Sequence, residues 1–185
     1  MGERMDDIPS LLEKAVRIAV LAHAGQKRKD GPPYIIHPFG IALKLAKYGF
    51  SDTVIAAALV HDVLEDTDYP PEKMRAELGE EVWAIVQSVT NDDSLGWEEK
   101  KLKYVETVRA GPDDAKAVAT ADKINNMESL IIAHQEHGDA LWAKFNANKE
   151  KKLWFEEKML AMLKESWNHP LIAEYETLVA WMRSV

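Results

Sequence analysis

Apolar residues recur at helical spacing along most of the chain. Leu11, Ala15, Ile18, Ala19 and Ala22 line one face of a first helix. Ser10 precedes it and Glu13 follows three residues later, the pair that forms a capping box, and the helix is expected to end near His23-Ala24-Gly25. Further helical patterns run over 38–48, 51–65, 79–90, 98–110, 112–133, 139–166 and 170–183. Two stripes are especially regular: Leu78, Val82, Ile85, Val86 and Val89, and near the end Leu171, Ile172, Tyr175, Leu178, Val179 and Met182. The alternation of polar and β-branched residues that marks strands is absent, and Gly and Pro fall between the helical patterns. The pattern predicts an all-α fold without internal repeats. Between the first two helices lies Gln26–Tyr34, where Gly31, Pro32 and Pro33 forbid a regular helix. Lys27-Arg28-Lys29 in this loop is the one dense positive cluster of the sequence.

Composition narrows the picture. With 185 residues and no composition shift that would mark a linker, a single domain over 1–185 is expected. The motif-bearing part covers about 10–132, and the C-terminal helices at about 139–183 complete the fold. A net charge of −8 argues against a nucleic-acid surface, which needs clustered bases over a broad face, but leaves room for a small anionic substrate at the local basic loop. The chain has no Cys, so any metal must sit on His, Asp and Glu. The acidic start, Met1 to Asp7, lacks the basic-then-apolar order of a secretory signal. No apolar run approaches the ~20 residues that span a bilayer, so no membrane partner is expected and the cytoplasm is the expected setting.

The chemistry concentrates where an apolar run turns polar: Ala56-Ala57-Ala58-Leu59-Val60-His61-Asp62-Val63-Leu64-Glu65-Asp66-Thr67. A buried imidazole and carboxylates cost several kcal/mol unless compensated, and a divalent cation compensates them all at once. On a continuous helix, His61 and Glu65 would share a face, as would Asp62 and Glu65. His37, just before Pro38, and Asp122, in Ala117-Val118-Ala119-Thr120-Ala121-Asp122-Lys123-Ile124-Asn125-Asn126-Met127, are the two further ligands that could converge. Mixed imidazole and carboxylate donors suit Mn²⁺, Fe²⁺, Co²⁺ or Zn²⁺. With open positions left for water and a phosphate oxygen, such a site suits metal-assisted hydrolysis.

His37, His61-Asp62 and Asp122 resemble the H…HD…D signature of the HD-domain phosphohydrolase superfamily. The runs Gly25 to Pro38, His61 to Thr67 and Ala121 to Met127 resemble the hydrolase domain of the RelA/SpoT alarmone proteins. With no synthetase domain following, the expectation is a stand-alone small alarmone hydrolase with an HD-type helical bundle. The resemblance implies Mn²⁺-dependent removal of the 3′-pyrophosphate of (p)ppGpp, giving GDP or GTP and pyrophosphate. It implies that His37, His61, Asp62 and Asp122 hold the metal, and that Glu65 and Asp66 form the catalytic pair handling the attacking water. Arg28 and Lys29 match the phosphate- and base-facing loop residues, and Asn126 a nucleotide-contacting position. Two positions depart from the family's pattern: Glu128 is acidic where a basic residue is common, and Asp30 replaces a small one. Placed near a nucleotide, both would repel phosphate and favour a different substrate, such as a nucleoside monophosphate or a phosphorylated dinucleotide. A non-catalytic nucleotide sensor is the reading from another class, and it leaves Glu65 and Asp66 without a purpose. In the C-terminal part, Lys144 and Lys151 are the bases that could reach a substrate phosphate.

Overall fold

The computed structural model describes residues 9–28, 31–144 and 148–185, and the expected helices appear within them. Helix α1 (Leu11–Ala22) carries the anticipated capping box, with the Ser10 hydroxyl accepting from the Glu13 N–H and the Glu13 carboxylate from the Ser10 N–H. Then follow α2 (Ile36–Lys47), α3 (Asp52–Val60), α4 (Val63–Asp66), α5 (Pro71–Val89), α6 (Trp97–Ala110) and α7 (Asp113–His137). A 3-10 turn (Gly138–Lys144) leads toward α8 (Lys149–Ser166), and α9 (Leu171–Ser184) closes the order. Among the described residues there is no strand, only an isolated antiparallel bridge between Lys27 and Pro33 that pinches the basic loop. No helix of the described residues is long and apolar enough to cross a membrane.

Helix α3 is the centre of the packing. Val54 and every residue from Ala56 to Val60 are buried, because α1, α2, α5 and α7 surround it. Its three consecutive alanines, and Ala115, Ala117, Ala119 and Ala121 on α7, are fully buried, and such short side chains let helix backbones approach closely. Longer side chains, among them Ile41, Leu45, Met127, Met159 and Tyr175, fill the spaces farther out. The ends of α3 and the middle of α7 are thereby held side by side.

Three expected boundaries differ. The pattern over 51–65 is not one helix: His61 and Asp62 form a break between α3 and α4. There the His61 imidazole bonds the Ala58 carbonyl, while Asp66 N–H takes the Asp62 carbonyl at 2.9 Å and starts a new turn. The expectation that Asp62, His61 and Glu65 share one continuous helical face is corrected accordingly. The pattern over 139–166 is likewise divided, into the 3-10 turn and α8. Helix α5 begins earlier than position 79, at Pro71, and bends at Gly79, whose φ of 85° lies in the left-handed region that glycine tolerates.

The alanine-lined contacts of α3 generate a prediction. Ala57→Leu should overpack them and cost about 1–3 kcal/mol, read as a lower urea midpoint at unchanged slope. An unchanged midpoint would contradict this packing.

Candidate metal centre

Four side chains from three places in the fold meet beside the α3–α4 break. His37 comes from the first turn of α2, His61 and Asp62 from the break itself, and Asp122 from α7. The ligating atoms of His37, His61 and Asp122 all lie within 4.8 Å of one another, and all three residues are buried. His37 Nε2 is 3.1 Å from Asp122 Oδ1, and His61 Nε2 is 3.8 Å from the same oxygen. The Asp62 carboxylate stands beside both rings, 3.0 Å from His61 Nε2 and 3.5 Å from His37 Nε2.

The surrounding residues aim these groups. His37 Nδ1 pairs with Asn125 Oδ1 at 2.7 Å and His61 Nδ1 with the Ala58 carbonyl at 2.8 Å. Both oxygens accept the Nδ1 proton in a hydrogen bond and fix the ring orientation, so that each Nε2 faces inward and offers its lone pair once it is deprotonated. The Tyr34 hydroxyl donates to Asp62 Oδ2, the Asn126 amide to Asp122 Oδ1 at 2.6 Å, and Lys123 pairs with Asp122 Oδ2 at 2.7 Å. Gly40 completes the set, because a Cβ there would lie 2.8 Å from Asn125 Nδ2. A side chain at position 40 would push aside the amide that orients His37.

Charge compensation dominates the electrostatics. Burial pushes the His61 imidazole down, but Asp62 and Asp122 outweigh it and raise it to about 9. Burial works the other way on Asp62, where His61 and, more weakly, His37 bring the carboxyl down to about 2. Asp122 is desolvated too, yet Lys123 and the two imidazoles hold it well below the usual carboxylate range. These groups lie on one wall of a cavity of about 830 Å³. Its lining also includes Arg28, Tyr34, Glu65, Asn91, Lys123 and Asn126.

The HD domain family model matches residues 15–151. The chain belongs to the HD domain family. Danio rerio guanosine-3′,5′-bis(diphosphate) 3′-pyrophosphohydrolase MESH1 is 41% identical over 125 residues, covering 65% of this chain and 69% of that protein. The guanosine-3′,5′-bis(diphosphate) 3′-pyrophosphohydrolase of Aquifex aeolicus is 35% identical over 128 residues, 68% of this chain but 18% of the relative. The chain thus spans under a fifth of the length of several curated relatives it matches. Among solved structures, a metazoan ortholog of SpoT that hydrolyzes ppGpp superimposes with a TM-score of 0.79 at 26% identity, over 94% of this chain and 97% of that one. A Listeria monocytogenes EGD-e protein gives a TM-score of 0.75 at 33% identity, over 80% of this chain and 99% of that one.

An HD domain implies a divalent metal, and the residues here fit one. His61 Nε2 is buried and makes no well-directed hydrogen bond; only carboxylate oxygens of Asp62 and Asp122 stand near it, and it faces the same space as His37 Nε2 and Asp122 Oδ1. Two inward imidazole nitrogens with carboxylate oxygens are a donor set for a borderline divalent cation.

The remaining sequence-predicted residues fall into different surroundings. Glu65 lines the cavity, fastened by the Asn91 N–H at 2.7 Å and by the Asn91 amide. Burial raises its pKa against those hydrogen bonds. Asp66 does not line the cavity. Its carboxyl interacts with Tyr34 and His23, and desolvation together with the Asp62 charge raises its pKa. Arg28 lies in the cavity wall and donates to Ser129 Oγ at 3.3 Å. Lys29, Asp30 and the Lys144 side chain lie outside what is described. Lys151 points to the Trp97 ring, 5.6 Å from its centroid, and not into the cavity.

Glu128 corrects an expectation. It does not line the cavity; it accepts from Lys44 at 2.9 Å, and Lys44 also pairs with Glu174, tying α2, α7 and α9 together. The cavity lining contributed by α7 does not include Glu128, whose carboxylate is turned to Lys44. Sequence reasoning passed over Tyr34, Asn91, Lys123 and Asn125 as functional residues. Tyr34, Lys123 and Asn125 lie within the very runs that carry the resemblance, whereas nothing local to Asn91 distinguishes it from an ordinary helix-end residue.

Two outcomes follow from this geometry. Without metal, His61 carries a proton below about pH 9, and that proton must leave before Nε2 can act as a ligand. Mn²⁺ affinity, measured by chelator competition, should therefore rise about tenfold per pH unit from about 7 toward 9 and then level off. Affinity independent of pH across that window would contradict the arrangement. Gly40→Ala should keep the helical content while weakening Mn²⁺ binding about tenfold through Asn125 and His37, and unchanged affinity would show that the close approach is idle.

Proposed function

We propose that the chain is a Mn²⁺-dependent phosphohydrolase that removes the 3′-pyrophosphate of (p)ppGpp, releasing GDP or GTP and pyrophosphate, with the cytoplasm as its setting. One observation carries the reading: His37, His61, Asp62 and Asp122 converge on the wall of a cavity that also holds Glu65 and basic side chains. The names of the similar proteins support the choice of substrate.

His37, His61, Asp62 and Asp122 would hold Mn²⁺, which would supply Lewis-acid polarisation of a phosphoryl oxygen and lower the pKa of water. Glu65 is the proton acceptor for the attacking water. Its raised pKa suits it to hold that proton, and Asn91 keeps its carboxylate in the cavity. The new P–O bond forms between the water oxygen and phosphorus as the bond to the 3′-oxygen breaks; Glu65 takes one water proton, and the leaving 3′-oxygen takes up a proton from solvent. Asp66, expected as the second member of the catalytic pair, shares Tyr34 with Asp62 and does not line the cavity, so its part is to support Asp62 through Tyr34. Arg28 and Lys29 offset phosphate charge, the guanidinium suiting a bidentate hold. Asn126 keeps Asp122 in place and borders the nucleotide. Glu128, which on sequence favoured another nucleotide, is engaged by Lys44, and this removes one argument for that alternative.

Pyrophosphate release from ppGpp with Mn²⁺, run beside phosphate release from a nucleotide panel, tests the reading. Asp62→Ala should lose metal, measured by plasma emission, together with turnover. Glu65→Gln should keep the metal and lose about 10²–10⁴ in kcat. Turnover of other nucleotides with none of ppGpp would overturn the substrate assignment.

A further inference from the structure

Helix α8 begins two residues before the end of the segment matched by the family model, and its early lysines diverge. Lys149 lies over the Trp142 ring and Lys151 over Trp97, whereas Lys152 reaches the cavity wall. Lys152 Nζ donates to Glu156 Oε1 at 2.8 Å, one helical turn on. Glu156 is only 1% exposed, and its other oxygen accepts from the Tyr175 hydroxyl. That hydroxyl is itself fully buried and also 3.2 Å from the Glu156 carbonyl.

A carboxylate so deeply buried is costly unless a charge faces it, and Tyr175 supplies a hydrogen bond but no charge. Lys152 supplies the charge. An ammonium has three N–H donors, and Glu156 takes one of them. The Lys152 side chain remains 21% exposed, at the cavity. Glu156 also attracts Lys123, the partner of Asp122, so a single buried carboxylate draws two lysines toward the same wall. Lys123 is engaged by the metal-ligand carboxylate, whereas Lys152 has donors left over.

We infer that Lys152 is a substrate-binding residue that contacts a phosphate oxygen of the nucleotide, and that Glu156 is the positioning residue that aims it. The inference rests on the phosphohydrolase reading and adds a determinant from outside the matched segment. The phosphate contacted belongs either to the 3′-pyrophosphate or to the 5′-diphosphate, two sources of the same chemistry.

The experiment separates this role from simple charge compensation. Lys152→Met alone strands Glu156 and should lower the melting temperature as well as raise KM for ppGpp. The double variant Lys152→Met with Glu156→Gln removes both charges, so its melting temperature should return near that of the parent. Its KM should stay about tenfold raised, with kcat within a few fold and Mn²⁺ affinity unchanged. Inhibition constants for inorganic pyrophosphate and for GDP locate the contact: whichever weakens in the double variant marks the phosphate group held. Recovery of the parent KM in the double variant would overturn the inference and leave Lys152 a structural counter-ion. Were the parent protein inactive on ppGpp, the hydrolase reading would fail by itself. Calorimetric binding of pyrophosphate to the Mn²⁺-loaded parent and double variant would then test Lys152 separately, and equal affinity would overturn it.

Discussion

Two imidazoles and two carboxylates share one corner beside the α3–α4 break, three of them buried and Asp62 partly so, and each compensates the charge of the others. Asp62 and Asp122 keep His61 basic despite its burial, while the imidazoles and Lys123 keep the carboxylates ionised. Such mutual compensation makes the cluster a ready receptor for a divalent cation: the proton that His61 carries in the metal-free form is a small stand-in for the larger charge.

Much of the fold exists to hold that corner. The alanines of α3 and α7 bring two backbones close enough for residues 61 and 122 to meet, and Gly40 lets α2 approach Asn125 so that His37 joins them. Farther out, Lys44 binds Glu128 and Glu174, fastening α2 to α7 and α9. On the opposite side of α7, Lys123 lies over the rings of Tyr104 and Phe155, linking α7 to α6 and α8. The proposed metal ligands, the residues that orient them and the helix contacts thus form one continuous set of interactions, in which Gly40 connects to His37 through Asn125.

The helices and the four converging residues were legible in the sequence because both depend on local signals: apolar periodicity, and polar side chains that interrupt an apolar run. The break at His61-Asp62 was not. Its backbone stays near helical angles, and it is marked by the His61 imidazole bonding the Ala58 carbonyl, a contact that no spacing rule reveals. Glu128 misled for a similar reason. Its family position suggested a place near substrate, but its direction is set by Lys44, 84 residues away in sequence. Lys152 does not stand out because three lysines crowd the first turn of α8: the rings of Trp142 and Trp97 draw Lys149 and Lys151 away, while Glu156, one turn on, holds Lys152. Long-range partners decide which of several equivalent side chains faces the site, and sequence spacing carries little of that information.

The convergence of two imidazoles on one cation is the claim from which the chemistry follows, and pulsed electron paramagnetic resonance of the Mn²⁺-loaded protein reads it directly. The proposed coordination predicts modulation from two histidine nitrogens, falling to one in His37→Gln. Absence of nitrogen modulation in the parent protein, or a signal unaffected by His37→Gln, would contradict it.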